Sequence, residues 1–220
     1  MNSTCELELK LMLPDRVTGH RIIDALAGMG GTLTAHGEAI QNDVYLDTAS
    51  RRLKQSGYAY RIRCIGHRRI ATLKQAKPDD SAGGGVQQRE ASGVSHRLEI
   101  EASVPDRAVL PSEGSPLSDF LAPLLGPEQL IPLFTVVTRR EVWSLSMPDP
   151  EITAKVAVDE THFEYPDDRV SDPHHELEIE WSGPGAGNPG ALELLSRRIR
   201  RMFHVEPGRL SKYERGCLNS

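Results

Sequence analysis

Glu6-Leu7-Glu8-Leu9-Lys10 alternates without a break. A strand built from it sends both carboxylates and the ammonium to one face and Leu7, Leu9 and Leu11 to the other. The leucines mark the face that meets apolar core. The opposite face sets charges of both signs at neighbouring positions, which solvent tolerates and which a divalent cation with an anionic ligand exploits. A half-exposed edge strand would read the same way, but the pattern returns twice, in Arg97-Leu98-Glu99-Ile100-Glu101 and in Glu176-Leu177-Glu178-Ile179-Glu180-Trp181. A sheet that repeats it is either one-sided and antiparallel or a barrel with a polar lumen and a covered outside.

Outward from these strands, Pro14-Asp15 opens a helix carrying Val17, Ile22, Ile23, Leu26 and Met29 at helical spacing, closed by Gly30-Gly31. Residues 39–48 read as a strand ending in Tyr45-Leu46-Asp47-Thr48, whose Asp-Thr end reads as turn chemistry. Residues 51–57 turn into a strand over 58–65 with Arg61 and Arg63 on one face, and 69–74 form its hairpin partner, with Thr72 and Lys74 together. The stretch 78–95, rich in Asp, Ser, Gly and Gln, reads as a mobile excursion; no strand and helix flank Gly83-Gly84-Gly85 as in a phosphate-binding loop.

Beyond it come an alternating strand at 94–104 and a short helix at 115–125. Strands follow at 134–145, with Thr138, Arg140 and Ser144 opposite Val137, Trp143 and Leu145, and at 155–161, with Lys155, Asp159 and Thr161 on one side. After the acidic strand at Glu176, a helix over 191–203 turns Leu192, Leu195, Ile199, Met202 and Phe203 inward and its arginines outward, and Ser211 begins a last turn or short helix. About eight strands in hairpin-like order with three or so helices predict an α+β chain. Its sheet closes as an eight-stranded antiparallel β-barrel with flanking helices, one domain over residues 1–220.

The net charge of −5 and a pI near 5.9 give no reason to expect nucleic acid or an anionic membrane as partner. No apolar run is long enough for a bilayer, and Met1–Cys5 lacks a basic-then-apolar signal region, so a cytoplasmic protein is expected. Three widely spaced cysteines, Cys5, Cys64 and Cys217, fit no metal pattern and read as reduced thiols. His174-His175 read as solvated loop histidines.

The inward candidates are Glu6, Glu8, Lys10, Arg61, Arg63, Lys74, Arg97, Glu99, Glu101, Arg140, Asp159, Glu176, Glu178, Glu180 and Lys212. Burying such groups unpaired would cost on the order of several kcal/mol each. The lumen must therefore be hydrated, mutually paired or filled by ions. Clustered carboxylates suit a hard cation such as Mg2+ or Mn2+, and arginines at alternate positions with lysines nearby suit phosphate oxygens. Together they describe a metal-assisted site for a polyphosphate.

The Glu6-x-Glu8-x-Lys10 start, Tyr45-Leu46-Asp47-Thr48, Arg61-Ile62-Arg63, Thr72-Leu73-Lys74, the Arg140 strand ending in Trp143, Asp159, the Glu176-x-Glu178 strand and Ser211-Lys212-Tyr213 lie in this order along nearly the whole chain. In that order they resemble the CYTH family, also called triphosphate tunnel metalloenzymes, whose members include inorganic triphosphatases, thiamine triphosphatases and class IV adenylate cyclases. The resemblance implies an eight-stranded antiparallel tunnel that binds a triphosphate and hydrolyses it with Mg2+ or Mn2+. It implies that Lys10, Arg61, Arg63, Lys74, Arg140 and Lys212 hold phosphate oxygens. Glu6, Glu8, Asp159, Glu176 and Glu178 would hold metal or position water, with Glu6, Glu8 and Lys10 as the catalytic motif. Arg139 and Glu180 are the nearest rivals of Arg140 and Glu178; Arg140 is preferred because Thr138 and Ser144 share its face. Glu99 and Glu101 match less clearly.

A module that only grips polyphosphate needs the cations and not both Glu-x-Glu strands, and a solvated sheet face has no need for Lys10, Arg61 and Arg63 at registered positions. Adenylate cyclisation needs a base pocket and thiamine an aromatic platform. Only 5% of residues are aromatic, and Trp143 and Trp181 fall on the outward face by parity. Tripolyphosphate asks only for charge, so its hydrolysis to pyrophosphate and phosphate is the expected activity, in a monomer or homodimer.

Overall fold

The computed structural model describes residues 3–76, 92–185 and 187–218. The strand that opens the chain, β1 (Ser3–Leu13), is paired along both edges. It is followed by α1 (Arg16–Gly28), β2 (Thr32–Asp47), α2 (Arg52–Gln55), β3 (Tyr58–Ile65), β4 (Arg68–Gln75), β5 (Val94–Ser103) and α3 (Pro116–Leu125). Then come β6 (Ile131–Pro148), β7 (Glu151–Glu164), β8 (His174–Trp181), α4 (Pro189–Phe203), β9 (Glu206–Pro207) and α5 (Lys212–Leu218). Strands pair in the order β5-β4-β3-β2-β6-β7-β8-β1, and β1 returns to β5, so eight antiparallel strands close a barrel with no free edge among them. The two-residue β9 adds to β1 at Leu11 and Met12.

Closure fixes which face is inside. On one edge of β1, Glu6 is opposite Arg97 and Glu8 opposite Ser95; on the other, Lys10 is opposite Glu178. Leu7, Leu9, Leu11 and Leu13 point outward and are buried under α1 (Ile22, Ile23, Leu26) and α4 (Leu192, Leu195, Ile199). A second outer core lies under α3, where Leu117, Leu121 and Leu125 meet Tyr60, Ile62, Leu73 and Ile100. Each fully buried leucine contributes roughly 1.5–3 kcal/mol, so much of the barrel's stabilisation comes from outside.

A third cluster is internal. By strand parity Tyr45, Phe134, Val136 and Phe163 face the lumen, and with Tyr165 and Tyr213 of α5 they form an aromatic plug at one end. Tyr45 lies 5.1 Å from Phe134 and 5.6 Å from Tyr213, centroid to centroid. Gly216 makes the plug possible, since a Cβ there would stand 2.2 Å from the Phe134 ring. Towards the other end Lys155 and Glu180 pair at 3.4 Å in partial solvent.

Several elements differ from their reading in sequence. β2, β6 and β7 are longer than expected: β2 over residues 32–38 and β7 over 151–153 run beyond their pairing with β3 and β8 and pair only with β6. A bulge at Gly37, with φ at +94°, breaks the alternation that would have revealed this extension. Val17 is 65% exposed, about 140° around the helix from Ile22, and Met202 is 48% exposed in the turn after Ile199. Asp47 does serve a turn: it accepts hydrogen bonds from the N–H groups of Thr48 (2.7 Å), Leu53 (2.9 Å) and Lys54 (3.1 Å), which starts α2. Most of the 78–95 excursion lies outside the described residues; its last residues, 92–95, form a turn and the start of β5. Among the described residues no helix is long and apolar enough to cross a membrane, and neither Cys64 nor Cys217 forms a disulfide.

Candidate active site

The lumen charges fall on two walls. On the wall of β1, β6, β7, β8 and α5, neighbouring strands place Arg140 opposite Asp159 and Asp159 opposite Glu176. Arg140 donates from Nε and Nη2 to Asp159 at 2.7 and 2.6 Å, and from Nη2 also to Glu178. Lys10 Nζ lies 2.8 Å from Glu178. Lys212, at the start of α5, inserts Nζ among three carboxylates, 2.7 Å from Asp159, 2.5 Å from Glu176 and 3.4 Å from Glu178. Arg215, one helical turn on, donates to Glu176. Burial alone would raise the carboxyls of Asp159 and Glu178. Arg140 and Lys212 instead hold Asp159 low, and Lys10, Lys212 and Arg140 hold Glu178 well below the usual range.

Asp159, Glu176 and Glu178 each offer an oxygen within 4.8 Å of the others, a set that could hold a metal ion. Three hard carboxylate oxygens suit a divalent cation. Glu176 Oε1 is buried and accepts no hydrogen bond among the described residues. Its partner is the Lys212 ammonium, 2.5 Å away, which a cation would have to displace.

On the wall of β2, β3, β4 and β5, Arg61 and Arg63 converge on Asp43, which is 1% exposed. Lys74 pairs with Glu6 and stands 3.5 Å from Glu99, and Arg61 Nη2 stands 3.5 Å from the other oxygen of Glu99. Burial lifts the Glu6 carboxyl to about 7 against the pull of Lys74. Glu8 sits between the walls. It accepts from Ser95 Oγ at 3.0 Å, and although burial opposes its charge, Lys10 and Lys74 hold it at about 2.

Every residue carried over from the family pattern therefore lies in the lumen, but not in one group. Glu6 and Glu8 stand outside the Asp159–Glu176–Glu178 set. Arg139 turns outward to Glu38 at 2.8 Å, which leaves the inward position to Arg140. Glu101 is exposed and accepts from Thr72. His174 sets its ring edge-on to Phe163 at 5.7 Å, outside the carboxylate set. The sequence reading missed Asp43 and Arg215. Asp43 follows Gln41-Asn42, a composition that resembles a loop, yet it shares parity with Tyr45; Arg215 is three residues past Lys212, hence on the same helix face.

A family model for the CYTH domain matches residues 4–191. The chain belongs to the CYTH family. Its barrel is similar to that of a Hippeastrum protein assigned as an adenylyl cyclase and described as having a dominant triphosphatase activity. The two share 21% identity over 98% of this chain and 96% of that one, with a TM-score of 0.70. It is also similar to a Bacillus halodurans protein assigned as an adenylate cyclase, at 20% identity, 98% coverage of both chains and a TM-score of 0.65. A Pyrococcus horikoshii protein shares 21% identity over 98% of this chain and 99% of its own, with a TM-score of 0.57. No curated protein matches the chain. At such identities the likenesses speak for the CYTH fold, and the chemistry has to be argued from the lumen of this CYTH barrel.

Proposed function

We propose that this CYTH chain hydrolyses a phosphoanhydride bond of a triphosphate inside the barrel. Inorganic tripolyphosphate, split to pyrophosphate and phosphate, is the proposed substrate, and Mg2+ or Mn2+ the ion. The observation that carries this reading is the mutual pairing of the lumen, in which Lys10, Arg61, Arg63, Lys74, Arg140 and Lys212 all rest on carboxylates. A polyanion and a divalent cation replace those pairs in kind: phosphate oxygens take the lysines and arginines, and the cation takes the carboxylates.

Asp159, Glu176 and Glu178 would hold the ion, which supplies Lewis-acid neutralisation of phosphoryl oxygens when bound. Arg61, Arg63, Lys74 and Arg140 hold the phosphate chain from both walls and absorb charge that develops as the bridging P–O bond breaks. Water supplies the oxygen of the new P–O bond and loses a proton. Glu6, with a carboxyl near 7, exchanges a proton close to neutrality, whereas Glu8 stays ionised to orient the water or a second cation. The reading goes with one domain, a small-molecule partner, no nucleic acid or membrane, a monomer or homodimer, and a cytoplasmic location.

One observation favours a second reading. A cavity beside the plug is lined by Tyr45, Ala59 and Tyr213 next to Arg61, Lys74 and Arg97. Two tyrosine rings beside three cations suit the organic end of thiamine triphosphate or ATP. Phosphate release from tripolyphosphate, thiamine triphosphate and ATP, each with Mg2+, Mn2+ or chelator, decides between the readings. Metal-dependent release that is fastest from tripolyphosphate is expected. Tight tripolyphosphate binding without release from any of the three would leave a binding module, and a cyclic nucleotide with pyrophosphate from ATP would make it a cyclase.

A further inference from the structure

We propose that Asp43 is a positioning residue that aims Arg61 and Arg63 at the phosphate chain, an inference that rests on the triphosphate reading above. The two arginines are two residues apart on one face of β3, so their attachment points are separated by about 7 Å of strand. Like charges so placed repel, and long side chains without a partner swing apart towards water. Asp43, across the β2–β3 ladder, is opposite Arg63 and diagonal to Arg61. Its Oδ1 accepts from Arg63 Nε at 2.8 Å, and its Oδ2 accepts from Arg63 Nη2 at 2.8 Å and from Arg61 Nη1 at 3.0 Å. The result is a two-point fork on one guanidinium and an anchor on the other.

The geometry separates Asp43 from the other lumen carboxylates. It lies on the wall away from Asp159, Glu176 and Glu178 and is not one of that set. Both of its oxygens are engaged by arginines, so it holds no ligand of its own. Each guanidinium has five N–H groups, and the anchors use only part of them. Arg61 Nε is buried with no acceptor among the described residues, a donor held ready for an incoming oxygen. Burial would raise the Asp43 carboxyl, but Arg61 and Arg63 hold it well below the usual range, so the anchor stays charged at working pH. Arginines fixed before the ligand arrives lose little freedom on binding, which is where such an anchor gains affinity.

The test measures tripolyphosphate binding by calorimetry in chelator, for wild type, Asp43→Asn, Arg63→Ala and the double variant. Asp43→Asn is expected to weaken binding about tenfold to a hundredfold and to raise KM far more than it lowers kcat. In the Arg63→Ala background the same change is expected to cost less than about threefold, because its effect runs through the arginine. Equal losses in both backgrounds, or wild-type affinity in Asp43→Asn, would overturn the proposal.

Should Asn not fold, Asp43→Glu keeps the charge but lengthens the arm. It is expected to keep the wild-type Tm while losing about tenfold in affinity, since small misplacements are costly at such sites; wild-type affinity there also overturns the proposal. Nuclear magnetic resonance of the Arg61 and Arg63 Nε–H groups reads the anchor with no ligand at all. Both are expected to be ordered in wild type and mobile in Asp43→Asn, and unchanged order rejects the role. If wild type binds no tripolyphosphate, the triphosphate reading fails, and the Nε–H signals still decide what Asp43 does.

Discussion

On the wall of β2 to β5 a single buried carboxylate, Asp43, serves two arginines, whereas on the wall of β1, β6, β7, β8 and α5 three carboxylates crowd within 4.8 Å and share Lys10, Arg140, Lys212 and Arg215. Both walls are buried and both are paired, so neither burial nor composition distinguishes them. Spacing does. Anions that stand together need a cation between them, and a divalent ion meets that need more compactly than several side chains. Asp43, which holds two arginines by itself, leaves the remaining guanidinium N–H groups to a ligand. One wall crowds carboxylates that could hold a metal and the other fixes a pair of arginines, although the same residue types build both.

The comparison is broken most directly at Arg140, which bridges Asp159 and Glu178. Arg140→Ala is expected to cost about 3–5 kcal/mol of folding stability by urea titration, because it leaves buried carboxylates without their partner. A loss below about 1 kcal/mol would mean that Lys10 and Lys212 alone suffice. On the other wall, Arg61→Ala should slow tripolyphosphate turnover about a hundredfold, roughly 3 kcal/mol in the barrier, with the fold intact by circular dichroism. Turnover within twofold of wild type would remove Arg61 from the phosphate-holding set.

The third change sharpens the contrast at Lys212, whose ammonium stands among the three crowded carboxylates. Lys212→Met is expected to tighten Mn2+ binding to the ligand-free protein about tenfold, or 1.4 kcal/mol. Paramagnetic resonance of free Mn2+ reads this without turnover, and weaker binding would show that Lys212 helps to assemble the site instead of competing for it. The smallest effect lies with Glu6, whose folded-state carboxyl stands near 7, above its unfolded value of 4.5. The contribution of its protonated form is full below about pH 4.5 and is lost as pH rises through about 7. Discounted for partial exposure and for Lys74, this amounts to about 1 kcal/mol. Glu6→Gln should flatten the stability profile between about pH 4.5 and pH 7, and an unchanged slope would assign it elsewhere.

Much of the barrel and most of its lining were legible in alternation. Leu7, Leu9 and Leu11 against Glu6, Glu8 and Lys10 declare two faces whatever the neighbours are, because a pleated strand has a period of two. The helices α1, α3 and α4 followed from periodic apolar residues, and the structure adds their caps at Asp15, Ser115 and Asn188. The β2–β6–β7 extension was not legible, since the bulge at Gly37 interrupts the pattern. Nor was the plug: Tyr45, Phe134, Phe163 and Tyr213 are far apart in the chain, and no local rule says that they meet.

Parity thus determined which side chains enter the lumen, a local property of each strand. Which of them become partners was decided by closure. Only when β1 joins β5 and β8 do Glu8 and Lys10 stand between two walls, and only when α5 enters do Lys212 and Arg215 reach Asp159 and Glu176. Charges interact through space at a few ångströms, and the register of non-local strands, which no single segment encodes, sets those distances.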